Sequence, residues 1–380
     1  MFDEICVHED CTGCSACFSV CPKGCICMVT DREGFLRPVI DKTQCIECGK
    51  CRSVCPVNRE WKDDGKVLAA YAGVNKNIDI RVRSSSGGLF SAFAEAVLKT
   101  GGAVVGAGFD EDFSVMHKVC TDVNALEEMR RSKYAQSRIG TAYQDVKTLL
   151  DAGKNVLFCG TPCQVGGLLT FLGKEYHNLY TVDFICHGVP SPAVWERYIG
   201  FRKEKAQAEI TDVSFRSKET GWKCYSLHID FADDSVYSAK VSDDLYLRSF
   251  LMDMNLRPSC YQCQFKQIHR QSDITLADLW GAECMVKDWN DDKGVSLVLI
   301  HSAGGQRLME LCSDNTEIVP VSLETAIANN PSITKSVSRP ALRDAFMSDV
   351  NRIPFDKLHE KYCGNNLGAR IRRKIAALMK

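Results

Sequence analysis

The sequence predicts an α/β protein in two parts: a small N-terminal module organised by cysteine, then a mostly parallel α/β sheet domain flanked by helices. Two observations predict it. The spacing C-x2-C-x2-C-x3-C-P occurs twice near the start, as CTGCSACFSVCP from residue 11 and CIECGKCRSVCP from residue 45. Beyond residue 65, strands, tight loops and amphipathic helices alternate, the order that builds βαβ units.

A chain of 380 residues, 45% hydrophobic and 25% charged, is long enough for two or three globular domains. The 47 Lys and Arg residues against 48 Asp and Glu leave a net charge of −1, so there is no electrostatic case for a nucleic acid partner. No apolar run approaches the roughly 18 residues of a membrane span, and no transmembrane segment is expected. The start MFDEICVHED is acidic where a signal peptide would be basic and then apolar, so a cytoplasmic location is expected. In a chain read as leaderless, 21 cysteines point to metal ligation or redox chemistry rather than disulfides.

Each cysteine half-motif has the spacing of bacterial ferredoxins, in which the fourth Cys ligates the other cluster. Three closely spaced thiolates wrap one corner of an iron–sulfur cube, and the Pro turns the chain away after the fourth. Crossing assigns Cys11, Cys14, Cys17 and Cys55 to one 4Fe-4S cluster, and Cys45, Cys48, Cys51 and Cys21 to a second. Zinc takes four ligands from two pairs and leaves no use for three cysteines in each run. Cys6, Cys25 and Cys27 are read as free thiols. With GFLRPVID as a strand–turn piece, residues 1–60 form a ferredoxin-like module in which ligation substitutes for a large core. The polar stretch NREWKDDGK reads as a linker.

In SSSGGLFSAFAEAVLKTGG, Leu89, Phe90, Phe93, Ala96 and Val97 share one helical face, Ser84 to Ser86 can cap the start, and Gly101 and Gly102 end it. AVVGAGF reads as a strand. DAGKNVLFCGTPCQVGGLLTFL is strand, tight loop, helix, and NLYTVDFICHGVPSPAVWERYI repeats that order. Cys163 and Cys186 each lie just beyond the carboxyl end of a strand, where open parallel sheets collect ligands, so they should share a rim. Cys260 and Cys263 add a CxxC pair without partners nearby in sequence. By spacing alone, these four can be a third cluster, a zinc site or buried thiols.

The strings SSSGGLFSAF, RRSKYAQSRIG, LFCGTPCQVGGL, DFICHGVPSP, RPSCYQCQF and DITLADLWG together resemble the beta-subunit family of coenzyme F-420 hydrogenases and dehydrogenases over residues 65–350. That resemblance implies a protein that binds FAD beside a 4Fe-4S cluster. The family's ligands lie in the PCQ segment, a later strand-end Cys and a CxxC pair, which match Cys163, Cys186, Cys260 and Cys263 here, a third cluster. The family includes enzymes that act on the deazaflavin coenzyme. Relatives fused to ferredoxin domains include a chlorophyll-pathway reductase that takes electrons from ferredoxin, so the fold does not fix the substrate.

Flavin contacts follow in part from chemistry. The helix start at Ser85, Ser86, Gly87 and Gly88 offers backbone N–H groups and a positive dipole end to a pyrophosphate, with a simple cap as the alternative. In RRSKYAQS, Arg131 and Lys133 can neutralise phosphate and Tyr134 can stack on a ring, with a solvated basic loop as the alternative. The resemblance favours Lys133, Tyr134 and Ser137. His187, directly after Cys186, is placed either to give a proton to substrate or to support the cluster. SFRSKETGWKCY gathers Arg216, Lys218, Trp222, Lys223 and Tyr225, which suit an anionic or aromatic substrate, and Lys218 and Trp222 join His187 as catalytic candidates. ADLWG ends an apolar strand with Asp278 and Trp280, which either close the flavin pocket or give the strand end a structural aromatic. Residues 351–380 end in a basic tail, read as a solvated helix.

Clusters carry one electron at a time, a hydride carries two, and flavin handles both. The expected function is therefore a ferredoxin-linked iron–sulfur flavoprotein oxidoreductase. Its clusters pass single electrons to or from FAD, and its partners are ferredoxin or another redox protein and a small-molecule substrate; the sequence assigns no oligomeric state. An F-420-dependent subunit and a non-catalytic electron-transfer adaptor are the alternatives. No G-x-G-x-x-G run follows a strand, so direct use of nicotinamide is not expected.

Overall fold

A computed structural model describes residues 4–61, 66–289 and 291–378. Part of the expected linker, 62–65, lies outside them. The N-terminal module holds a hairpin, β1 (Ile26–Thr30) antiparallel to β2 (Leu36–Ile40), with Ile26 opposite Ile40. Its small core is Ile5, Cys17, Cys25, Ile26 and Cys55, so sulfur supplies much of what apolar bulk would otherwise provide.

The chain then forms β3 (Ala69–Asn75), β4 (Ala103–Phe109), β5 (Val115–Cys120), β6 (Val156–Cys159) and β7 (Leu179–Phe184). It leaves for a separate antiparallel sheet of β8 (Ile210–Ser217), β9 (Ser226–Phe231) and β10 (Val236–Lys240). It returns as β11 (Ile274–Asp278), β12 (Ser296–Ile300) and β13 (Thr316–Pro320). The large sheet has the order β13-β3-β12-β11-β7-β6-β4-β5. Its centre, β4, β6, β7 and β11, is parallel, as the strand–helix alternation predicts. Both flanks pair antiparallel, which makes the whole sheet mixed. The turn between β4 and β5 closes with Asp110 N–H donating to the Ser114 carbonyl at 2.8 Å and is too short for a crossover.

Helices start where the sequence places them. Pro162–Leu172 opens directly after β6 with a capping box made by Thr161 and Gln164. Pro192–Ala206 follows β7, and its Ser191 cap accepts the Val194 N–H. Leu89–Lys99 buries Leu89, Phe93, Ala96 and Val97. The serines before it do not cap it: Gly88 is the N-cap residue without a side-chain bond, while the Ser84 hydroxyl donates to Ile80 and ends the helix Ile78–Arg83.

The C-terminal segment differs from the expected tail. Phe355, Leu358 and Tyr362 of helix Phe355–Tyr362 are buried in the core that also holds Trp195 and Tyr198, so a boundary at 351 cuts through one packed unit. Apolar residues there alternate with Lys and His at helical spacing, and the basic composition hid the buried face. Only the last helix, Leu367–Leu378, keeps Leu367, Ile371 and Ile375 exposed. Among the described residues, no helix is long and apolar enough to cross a membrane.

The N-terminal module is clamped to the rest by the tip of its hairpin. Ser191 donates its hydroxyl to the Glu33 carbonyl, and Arg343, 1% exposed, forks onto both Glu33 carboxylate oxygens. Gly34, at φ +87°, lies so close to helix Pro192–Ala206 that a Cβ would meet the Ala193 nitrogen at 2.5 Å. Gly34→Ala should cost at least about 1–2 kcal/mol from the left-handed backbone alone, and the contact with Ala193 adds to it. Thermal denaturation is expected to show a lower melting temperature; an unchanged one would mean that the hairpin tip is not docked there.

Candidate functional site

Three sets of cysteines gather in the module and where it meets the sheet. Cys14 is pushed up to about 12 by burial, with Cys55 and Cys11 adding to it, and Cys17 is driven up by burial and then by Cys14, Cys11 and Cys55. The structure thus brings Cys11, Cys14, Cys17 and Cys55 together, three from the first half-motif and one from the second. Cys11 is drawn down by the Cys6 thiol, against burial and with help from Arg257. Cys6 therefore contacts this set, although its spacing reads as a free thiol.

The second set lines a concavity of about 640 Å³ walled by Cys21, Cys45, Cys48 and Cys51 with Ile5, Ile26, Ile40 and Ile46. Cys25 also lines it, with its sulfur 3.4 Å from that of Cys21. Cys48 is exposed, whereas all four cysteines of the first set are buried. Four cysteine sulfurs gathered in an apolar wall are the donor set that an iron–sulfur core takes, so the residues fit such a group.

The third set lies where the sheet meets the module. Cys163 sits in the first turn of helix Pro162–Leu172, Cys186 follows β7, and Cys260 and Cys263 belong to the turn around Pro258–Gln262. All four line one cavity, together with Thr12 and Val57 from the module and Lys266. Burial drives the Cys163 thiol well above its ordinary range, and Cys263, Cys186 and Cys14 add to it. Cys186 is pushed up to about 11 and Cys260 to about 12, each by burial first. The Val189 N–H donates to the Cys260 sulfur at 3.4 Å, and Lys266 donates to the Cys186 carbonyl. The first and third sets are nearly back to back: a Cβ on Gly167 of the shared helix would meet the Cys14 sulfur at 3.0 Å.

A second region gathers at the carboxyl ends of the parallel strands. Asp278, the last residue of β11, pairs with Arg216 at 2.6 Å and accepts the Trp222 indole N–H at 3.3 Å. Trp222 stacks on Trp280 at 5.1 Å and 11°. Trp280 and Phe184, at the end of β7, are 37% and 39% exposed, so this region opens to solvent. Ser85 accepts the Ser132 N–H at 2.7 Å, which ties the serine loop to the Lys133 loop. Gly87 is packed under β3 and β12, where a Cβ would meet the Gly73 carbonyl at 2.4 Å; Gly88 is the N-cap residue.

The expected cations are already engaged. Lys218 donates to the carbonyls of Arg81, Ser86 and Lys293, and Lys133 to those of Glu128, Arg130 and Arg131. Burial draws both amines down to about 7. Arg216 is different: 8% exposed, it leaves Nε and Nη2 without an acceptor, under the Tyr225 ring at 4.5 Å. Free guanidinium donors beside exposed aromatic faces suit an anionic ring cofactor such as a flavin nucleotide.

Tyr134 stacks on Phe250 at 4.9 Å, and His187 meets Phe250 edge-on at 5.2 Å. His187 lines the third cysteine cavity, with Nε2 2.6 Å from the Asp253 carboxylate. It therefore lies at that cavity rather than among the Arg216 group. Ser137 is also set apart, its hydroxyl paired with His117 at 2.7 Å. The cysteine spacing carries no signal for Arg257 or Gln136, which the structure places against Cys11 and Thr12.

Residues 153–325 match the family model for the C-terminal part of the Coenzyme F420 hydrogenase/dehydrogenase beta subunit. Residues 10–59 and 37–124 match two models, each described as a 4Fe-4S dicluster domain. A protein named Ferredoxin 7Fe from Hydrogenibacillus schlegelii is 38% identical over 75 residues, 19% of this chain and 90% of that protein. A solved structure of the F420-reducing [NiFe] hydrogenase complex from Methanosarcina barkeri, in a xenon derivative, aligns at 15% identity with a TM-score of 0.47, over 74% of this chain and 99% of the matched chain.

Proposed function

From a chain that joins a 4Fe-4S dicluster domain to the C-terminal domain of the coenzyme F420 hydrogenase/dehydrogenase beta-subunit family, we propose an iron–sulfur flavoprotein oxidoreductase that exchanges electrons with a ferredoxin-type partner and acts on a small molecule. The observation that carries it is the order of the sites. A cysteine set with Cys48 at the surface, a buried set and a third set at the sheet rim follow one another, and a contact chain of His187, Phe250 and Tyr134 leads from the third toward Arg216. When bound, 4Fe-4S clusters supply one-electron exchange and FAD couples it to two-electron chemistry.

Each side chain has a part in this reading. Cys21, Cys45, Cys48 and Cys51 hold the cluster nearest a partner, because Cys48 is exposed. Cys163, Cys186, Cys260 and Cys263 hold the innermost one. Arg216, oriented by Asp278, binds the flavin, and the Trp222–Trp280 stack bounds it. Lys218 and Lys133 fix the loops around it through their carbonyl bonds. His187, oriented by Asp253, supports the third cluster. The exposed Trp280 and Phe184 favour an enzyme, with substrate reaching the flavin, over an adaptor that buries it. The family description favours a deazaflavin coenzyme as one substrate to screen.

The test is iron, acid-labile sulfide and extracted flavin per chain, on protein purified without oxygen. About twelve irons and one FAD are expected. About eight irons and no flavin would leave only the N-terminal module and end the enzyme reading.

A further inference from the structure

Arg257 is 0% exposed, one of the largest fully buried side chains. Its Nε donates to the Cys11 carbonyl at 2.7 Å, Nη1 to the Gln136 side chain at 2.8 Å, and Nη2 to the Leu36 carbonyl at 2.9 Å and the Cys11 sulfur at 3.6 Å. None of these acceptors is a carboxylate. The module's half-buried acid, Asp31, is already paired with Arg37 at 3.0 Å. No carboxylate bonds this buried cation, so the negative charge facing it has to come from the cysteine set it touches. Arg257 also lines the cavity of Cys163, Cys186, Cys260 and Cys263, three residues before Cys260. Room for it is built in: Gly13, at φ +69°, lies where a Cβ would meet Nη1 at 2.7 Å.

We propose that Arg257 is the shared counter-cation of the first N-terminal cluster and the strand-end cluster, holding both at higher reduction potentials than their burial would give. This rests on the three-cluster reading above. A 4Fe-4S core with four thiolates is a net anion that becomes more negative on accepting an electron, so a fixed cation between two such groups favours reduction of both. The cluster of Cys21, Cys45, Cys48 and Cys51 does not share it, because Arg257 is absent from the wall of that concavity. Arg257 is thus a positioning residue for charge: it makes the step inward from the exposed cluster downhill.

The test is an EPR-monitored redox titration of the full chain with its clusters, comparing wild type, Arg257→Gln and Arg257→Lys, with Cys163→Ser used to assign the strand-end signal. Arg257→Gln is expected to lower the reduced-to-oxidised ratio of two signals at least tenfold at a fixed potential, about 59 mV for a one-electron couple. The third signal stays in place, iron content is unchanged, and Arg257→Lys, which keeps the charge, recovers much of the shift. Two results would overturn the proposal: wild-type potentials for all three signals in Arg257→Gln at full iron content, or equal loss of iron from Gln and Lys variants, which marks a packing role only. A wild-type chain with about eight irons overturns it together with the three-cluster reading.

Discussion

Cys163→Ser or Cys263→Ser should each release about four irons per chain, while Cys120→Ser releases none. Cys163 and Cys263 share one cavity, and Cys120 lies buried in β5 in the apolar core, its thiol donating to the Asp122 carbonyl at 2.9 Å. A serine hydroxyl is a poor thiolate substitute, so losing one of four ligands is expected to empty the site. Iron and sulfide analysis on anaerobic protein reads the result directly, and melting temperatures separate loss of a ligand from loss of the fold. The same variants should disturb the flavin spectrum, because His187, Phe250 and Tyr134 connect the cavity to the Arg216 region. Equal iron in all three variants would sink the assignment of these cysteines as ligands.

Arg216→Met should strip flavin from the protein while leaving the iron in place. Its guanidinium has free donors at Nε and Nη2, and Asp278 fixes its plane at 2.6 Å. Removing a buried charged partner of a bound anion costs roughly 2–5 kcal/mol, so flavin affinity should fall at least about 30-fold. Arg216→Lys keeps the charge and the Asp278 pair but loses the fork, and is expected to bind at an intermediate level. Flavin fluorescence after gel filtration, against iron content in the same fractions, gives the comparison. Flavin bound to wild-type level in Arg216→Met would place the nucleotide elsewhere.

The parts legible in the sequence are those whose partners are close in sequence. The two cysteine runs state their own spacing, and the strand–loop–helix order around Leu89 and Pro162 states where those helices run, although the N-cap at Leu89 is Gly88 and not the expected serines. Cys163 and Cys186 were expected on one rim because both follow adjacent parallel strands, and they line one cavity with Cys260 and Cys263. What was hidden depends on distant pairing. β3, β12 and β13 pair antiparallel through residues more than two hundred positions apart, and no hairpin turn announces them. The helix Phe355–Tyr362 read as a basic tail because its charged side shows in composition and its buried side only in packing. Arg257 lies 246 residues from the Cys11 carbonyl that receives it. Arg216 appeared only as one cation in a basic strand; its two free donors distinguish it, and those exist only once Asp278 and Tyr225 are beside it.

The clamp at Glu33, Gly34 and Arg343 also sets an order of maturation. The first cysteine set is buried in the docked molecule, with Cys14 against the helix Pro162–Leu172, whereas the second keeps Cys48 at the surface. On the proposed three-cluster reading, a buried set of ligands is best filled before the module closes over it, and the set with Cys48 at the surface stays open to loading and repair in the finished protein.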